Sequence, residues 1–149
     1  MLKGEYHLVV HIWIINSKGE FLISKRAPSV TGWANMWQTT GGSAVADDDS
    51  LATALKETRE ETGIVLKTEN GELFKRYSKP HTDDNGGAFY DVWLFRQEAD
   101  INDVVFQPEE TCGAMWAGRE KIVELTDNGK FIVNEAYPYI EELFDFCGV

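Results

Sequence analysis

Residues 42–64 read GSAVADDDSLATALKETREETGI, with Glu57, Glu60 and Glu61 crowded into the second half. An α-helix turns once in about 3.6 residues, so positions i, i+3 and i+4 share a face. Three carboxylates on one face repel each other unless positive charge sits among them. Gly63 stands where a C-cap glycine belongs, and Asp47, Asp48, Asp49 and Ser50 are candidate N-caps. Leu51, Ala52, Ala54, Leu55 and Thr58 offer a small, mostly apolar face for packing. The segment predicts a helix over 49–62 with one buried side and one acidic side. Upstream, Gly41-Gly42 predicts a tight turn or a close approach of backbone to a ligand.

An acidic helix face is by default a solvated face. The glycine pair and the cap glycine turn the reading towards a site. Hard divalent cations such as Mg²⁺ bind carboxylate oxygens and keep positions open for water and substrate phosphates. The cluster therefore reads as a metal site for phosphate chemistry.

The segment resembles the Nudix box, Gly-x5-Glu-x7-Arg-Glu-U-x-Glu-Glu-x-Gly-U, in which U is a bulky apolar residue. Gly42, Glu57, Glu60, Glu61, Gly63 and Ile64 match it in identity and spacing. Asp48 replaces the first glutamate, Lys56 the arginine and Thr58 the bulky apolar residue. Charge sign is kept at the first two, but aspartate is one methylene shorter and lysine lacks the planar fork. The departures bear on loop geometry and turnover rate, while the metal-binding carboxylates are intact.

The resemblance implies an α+β fold, a Nudix-type α/β/α sandwich with a mixed central sheet. It implies a single Nudix hydrolase domain over residues 1–149. The implied activity is metal-dependent cleavage of the phosphoanhydride in a nucleoside diphosphate linked to another group, by water attack at phosphorus. Glu57, Glu60 and Glu61 would hold Mg²⁺ or Mn²⁺, joined by a backbone carbonyl near Gly42. The general base varies within the family. A box carboxylate is one candidate, and Glu109 and Glu110 are distant ones, each by default a solvated loop charge; of the two, Glu110 is assigned as catalytic. Arg26 ends a strand and resembles an arginine that many members place near the phosphates. A surface salt bridge is its equal alternative. Trp33, Trp37 and Tyr90 could stack on a base or line a pocket, though each alone is by default core or rim. Trp37 and Tyr90 are taken as substrate-binding. His7, His11 and His81 are by default core or surface residues, and His81, in a loop, is the one assigned to substrate.

A chain of 149 residues can bury a substantial core as one domain. Hydrophobic content of 43% and aromatic content of 12% exclude wholesale disorder. A net charge of −11 argues against duplex nucleic acid, whose phosphates need a basic face. The expected partner is a small nucleotide or diphosphate, drawn in by metal and local cations. Cys112 and Cys147 form no CxxC or Cys/His cluster, so zinc is not expected, and both are read as reduced thiols. The apolar run at 8–15 is too short to span a bilayer and lacks a cleavage site. The expectation is a cytoplasmic protein without a membrane segment. The resemblance also implies a homodimer as one open arrangement, since dimers are common in the family.

Strands are predicted at 6–15, 20–25, 72–79, 88–96 and 113–117, with turns at 16–19 and 81–87. Helices are predicted at 118–125 and 135–146, Pro138 falling in the first turn of the latter. Two rival functions remain. The segment YHLVVHIWIINSKGEFLISKR resembles the start of isopentenyl-diphosphate isomerases, which share the fold. Those carry a cysteine just before the glycine turn and a histidine just after it. Here Thr40 and Ser43 take those places, so the isomerase chemistry lacks its thiol and imidazole. The other rival is a non-catalytic nucleotide binder, against which the complete glutamate set argues.

Overall fold

The computed structural model describes residues 7–30, 32–44, 49–79, 88–105, 107–132 and 136–149. The predicted turn at 81–87, with His81, and Asp48 of the box lie outside the described residues.

Strand β1 (His7–Ile15) organises the sheet. Asn16 reverses the chain, its side-chain oxygen accepting from the Lys18 and Glu20 amides at 3.0 Å each. Gly19 supplies the positive φ of 76° that this turn requires. The chain returns as β2 (Phe21–Arg26). Two short strands follow, β3 (Trp37–Gln38) and β4 (Thr40–Ser43). Helix α1 (Ser50–Thr62) precedes the long antiparallel pair β5 (Gly71–Lys79) and β6 (Ala88–Arg96). Strand β7 (Thr111–Ala117), α2 (Arg119–Asp127) and α3 (Ile140–Cys147) follow, and single 3-10 turns lie at Thr68–Asn70 and Ile101–Asp103.

The sheet is mixed and runs β3-β2-β1-β6-β5, with β4 added on β1 and β7 on β2. β1 and β6 are parallel along their whole length. The other edge of β1 is divided. Ile15 pairs with Phe21 of β2, while residues 9–12 pair antiparallel with β4. Alternation along β1 sends Val10, Ile12 and Ile14 to a core shared with Ala54 of α1. Trp13 and Ile15 go to a second core with Ile122 of α2 and Leu143 and Phe144 of α3. One helix on one face and two on the other make the expected α/β/α sandwich. No helix among the described residues is long and apolar enough to cross a membrane.

Helix α1 has the predicted ends. Asp49 caps it, accepting from the Ala52 amide at 2.6 Å. Gly63 closes it at φ 77°, donating to the Arg59 carbonyl at 2.9 Å. Four expectations are corrected. Gly41-Gly42 is no tight turn: both residues lie within β4, opposite His11 and Val10. Ala52 faces solvent and Thr53 is buried instead. Helix α2 runs on to Asp127. The final helix starts at Ile140, so Pro138 precedes it instead of occupying its first turn. A residue before proline is pushed out of the α region, which breaks the helical run at Tyr137.

Candidate active site

A cleft of about 430 Å³ opens where β4 meets β1. α1 contributes Glu57 and Glu61 to its wall, and Glu110 enters from the segment before β7. Val30, Trp33, Ile132, Ala136 and Tyr137 supply an apolar and aromatic lining. Polar groups come from His11, Arg26, Gln38 and Thr39.

Glycine is what admits the acidic side chains. A Cβ built on Gly42 would lie 2.6 Å from Glu57 Cδ, inside any real contact distance. On Gly41 it would lie 2.9 Å from the Val10 carbonyl oxygen. Here glycine serves close approach, and neither residue has a positive φ.

Glu57 and Glu61 stand one helical turn apart in the cleft wall, and both carboxyls favour their protonated form. Burial is the main reason: it pushes the Glu61 carboxyl up to about 9, helped by the charges of Glu57, Glu110 and Glu60. Glu57 is also raised, by burial first and then by Glu60 and Glu110, with Lys56 opposing. Glu60 is exposed and outside the cleft wall, acting on the pair through its charge.

Among the described residues, no three His, Cys, Asp or Glu side chains are gathered into a finished metal shell. The donor set nevertheless suits a hard divalent cation. Burial, and then the neighbouring carboxylate charges, favour a proton on Glu61. A divalent cation would replace that proton and relieve the same repulsion.

The other predicted residues separate. Arg26 lines the cleft, donating from Nε to the Gly32 carbonyl at 3.1 Å and from NH1 to Gln38 Oε1 at 3.2 Å. It therefore braces the loop after β2 as well as facing the cavity. Glu109 and Glu110 are both exposed, but of the two only Glu110 is among the described residues of the cleft wall, while Glu109 offers its carbonyl to Ser29. Tyr90 lies beside the cleft, its ring stacked on Tyr77 at 4.8 Å and 5.5 Å from that of His11. Trp37 is turned away. It pairs with Lys25 on β2 and packs among Met36, Met115 and Leu125, while its neighbour Gln38 takes the cleft side. Successive strand residues point to opposite faces, which is why the neighbour and not the tryptophan is in the wall.

His11 is buried, as one of its two default readings has it, and it also forms part of the cleft wall. Trp13 Nε1 donates to the Tyr139 hydroxyl at 2.8 Å, and that hydroxyl lies 2.9 Å from His11 Nδ1. The phenol oxygen accepts from the indole and keeps a further hydrogen-bonding position for Nδ1, so Trp13, Tyr139 and His11 form one buried polar chain. Tyr137, also in the wall, accepts from the Thr39 amide at 3.1 Å. Gln38, Thr39 and Tyr137 carried no sequence signal, because β3 and the residues before α3 join the site only through tertiary pairing.

The NUDIX domain model matches residues 5–139. The chain belongs to the Nudix family. It is 33% identical over 146 residues to an uncharacterized Nudix hydrolase of Listeria innocua, covering 97% of this chain and 81% of that protein. An isopentenyl-diphosphate Delta-isomerase of Citrobacter koseri is 22% identical over 119 residues, covering 79% and 65%. Among solved structures, a bifunctional NMN adenylyltransferase/ADP ribose pyrophosphatase of Francisella tularensis, complexed with AMP and a Mn ion, has a TM-score of 0.73. That match has 18% sequence identity, covering 99% of this chain and 43% of the other, and it speaks for the fold. The Nudix hydrolase assignment accounts for the glycine pair of β4, the carboxylates of α1 and the order of the sheet.

Proposed function

We propose that this Nudix hydrolase is a pyrophosphohydrolase dependent on Mg²⁺ or Mn²⁺ that cleaves a nucleoside diphosphate linked to another group. The observation that carries the reading is the Glu57–Glu61 carboxylate pair, pressed together in the cleft at a raised pKa. Glu57 and Glu61 would hold the cation, with Glu60 at the rim and the Gly42 carbonyl alongside. When bound, the cation supplies charge neutralisation to the phosphate oxygens. Arg26 is the positive side chain of the described wall and orients the diphosphate. Glu110, which faces the pair, takes the proton of the attacking water. The new bond joins that oxygen to phosphorus, and the bridging oxygen leaves with the other phosphate. Support for a nucleotide ligand is by analogy with the Francisella tularensis structure, which shares the fold and holds AMP and a Mn ion.

The isomerase relative does not bring its chemistry here. Thr40 is buried opposite Ile12 and Ser43 is exposed, so neither supplies a thiol or an imidazole. We read the protein further as cytoplasmic, with small-molecule partners and a homodimeric form open to sedimentation analysis.

The test is phosphate or nucleotide release from a panel of nucleoside diphosphate derivatives, with Mg²⁺ and then Mn²⁺. Hydrolysis that a chelator abolishes is expected. Glu61→Gln and Glu60→Gln should each lower it, Glu61→Gln by about a hundredfold or more. Unimpaired turnover in both variants would sink the site assignment.

A further inference from the structure

Trp33 is an exposed aromatic residue of the cleft wall that the reaction above does not use. Its relative exposure is 49%, while the other rings of the described wall, His11 and Tyr137, are 8% and 3% exposed. Its backbone has φ 51°, a left-handed conformation that bulky residues rarely adopt. The surrounding loop fixes it there. Met36 donates to the Trp33 carbonyl at 3.1 Å, Asn35 donates to the Arg26 carbonyl at 3.1 Å, and Arg26 Nε holds the Gly32 carbonyl. The loop is tied in turn to the acidic wall, since the Ala27 amide donates to the Glu110 carbonyl at 2.8 Å.

An exposed indole held at the mouth of a polar cleft is a stacking surface. Gln38 lines the same cleft with its amide oxygen engaged by Arg26, which leaves its NH₂ donors as the other hydrogen-bonding end of the side chain. A saturated hydrocarbon group would cover those donors without pairing them, at a desolvation cost. A planar ring with acceptors on its edge would stack on Trp33 and satisfy them together.

We propose that Trp33 selects the organic part of the substrate, by stacking on a nucleobase while the diphosphate lies against Glu57, Glu61 and Arg26. The proposal rests on the hydrolase reading and deepens it: specificity for a base lies in the loop after β2, and not at Trp37.

The test is calorimetric binding of two non-hydrolysable probes in Mg²⁺, α,β-methylene-ADP and methylenediphosphonate, to the wild type, Trp33→Ala and Trp33→Phe. Circular dichroism checks that each variant folds. Trp33→Ala should lose about tenfold in affinity for the nucleotide probe and keep its affinity for the diphosphonate. Trp33→Phe, which keeps a ring, should recover most of the loss. Equal loss for both probes, or no loss for either, overturns the stacking role. A wild type that binds the diphosphonate but not the nucleotide probe also overturns it, and leaves the diphosphate site standing. A wild type that binds neither probe removes the hydrolase reading, and the stacking role with it.

Discussion

Thr58 is fully buried on α1, and its hydroxyl has no hydrogen-bond partner. It occupies the box position where the family pattern has a bulky apolar residue. A buried hydroxyl without a partner forfeits its hydration for nothing. Thr58→Val keeps the shape and removes the polar atom, so it should stabilise the protein by about 1 kcal/mol in urea unfolding. A loss of stability would mean that the hydroxyl has a partner in solution. Glu61 makes a second residue-scale prediction. Its carboxyl is raised from 4.5 to about 9, so the folded state binds the proton more tightly than the unfolded chain. The sign follows: this stability is present below the ordinary carboxylate range and is lost as pH rises through about 9. With chelator present, Tm should fall between about pH 5 and about pH 9, and Mg²⁺ should restore more of it at the upper end. Glu61→Gln should flatten that fall, and an unchanged slope in the variant would refute the assignment. At this scale the sequence was legible where spacing on one helix decides geometry, as for Glu57 and Glu61. It was not legible where a strand's face decides. Trp37 and Gln38 differ in orientation only through the pairing of β3 with β2, a register that local sequence does not encode.

The elements explain why α1 holds its carboxylates in place. Its first residue, Ser50, accepts from Trp93 Nε1 at 2.6 Å and donates to Asp91, both on β6. Asp91 is wholly buried and receives two bonds from Arg76 on β5, at 2.5 and 2.7 Å. Burial works against its ionisation, but the bonds from Arg76 and Ser50 and the guanidinium charge hold its carboxyl below the ordinary value. The start of α1 is thereby tied to the far half of the sheet. Asp91→Ala removes the junction and should cost about 2 kcal/mol, seen as a lower urea midpoint at unchanged m. The cost stays near that size because Arg76 is left largely in water, its side chain 61% exposed. An unchanged midpoint would show that α1 is held by apolar packing alone. Element boundaries were readable where capping chemistry is local, as at Asp49 and Gly63. The strands β3 and β4 were missed because two and four residues carry no period of their own. Their existence depends on edges that β1 and β2 leave open.

The whole molecule sets a condition on how substrate arrives. Net charge is −11, and Glu57, Glu61 and Glu110 stand in the cleft wall. Arg26 is the one Arg or Lys among the described wall residues. A diphosphate approaching such a surface meets a repulsive field over much of its path, the reverse of electrostatic steering. Bound metal cancels repulsion inside the cleft and leaves the distant carboxylates unchanged. Those act across water and are screened by salt, with a Debye length of about 30 Å at 0.01 M falling to about 10 Å at 0.1 M. At saturating Mg²⁺, adding KCl over that range should therefore lower KM by about twofold or more, with kcat little changed. Contacts inside the cleft set kcat and lie within a screening length at either salt concentration. If KM instead rises with salt, local attraction at Arg26 and the metal outweighs the global field, and the acidic surface plays no part in substrate capture.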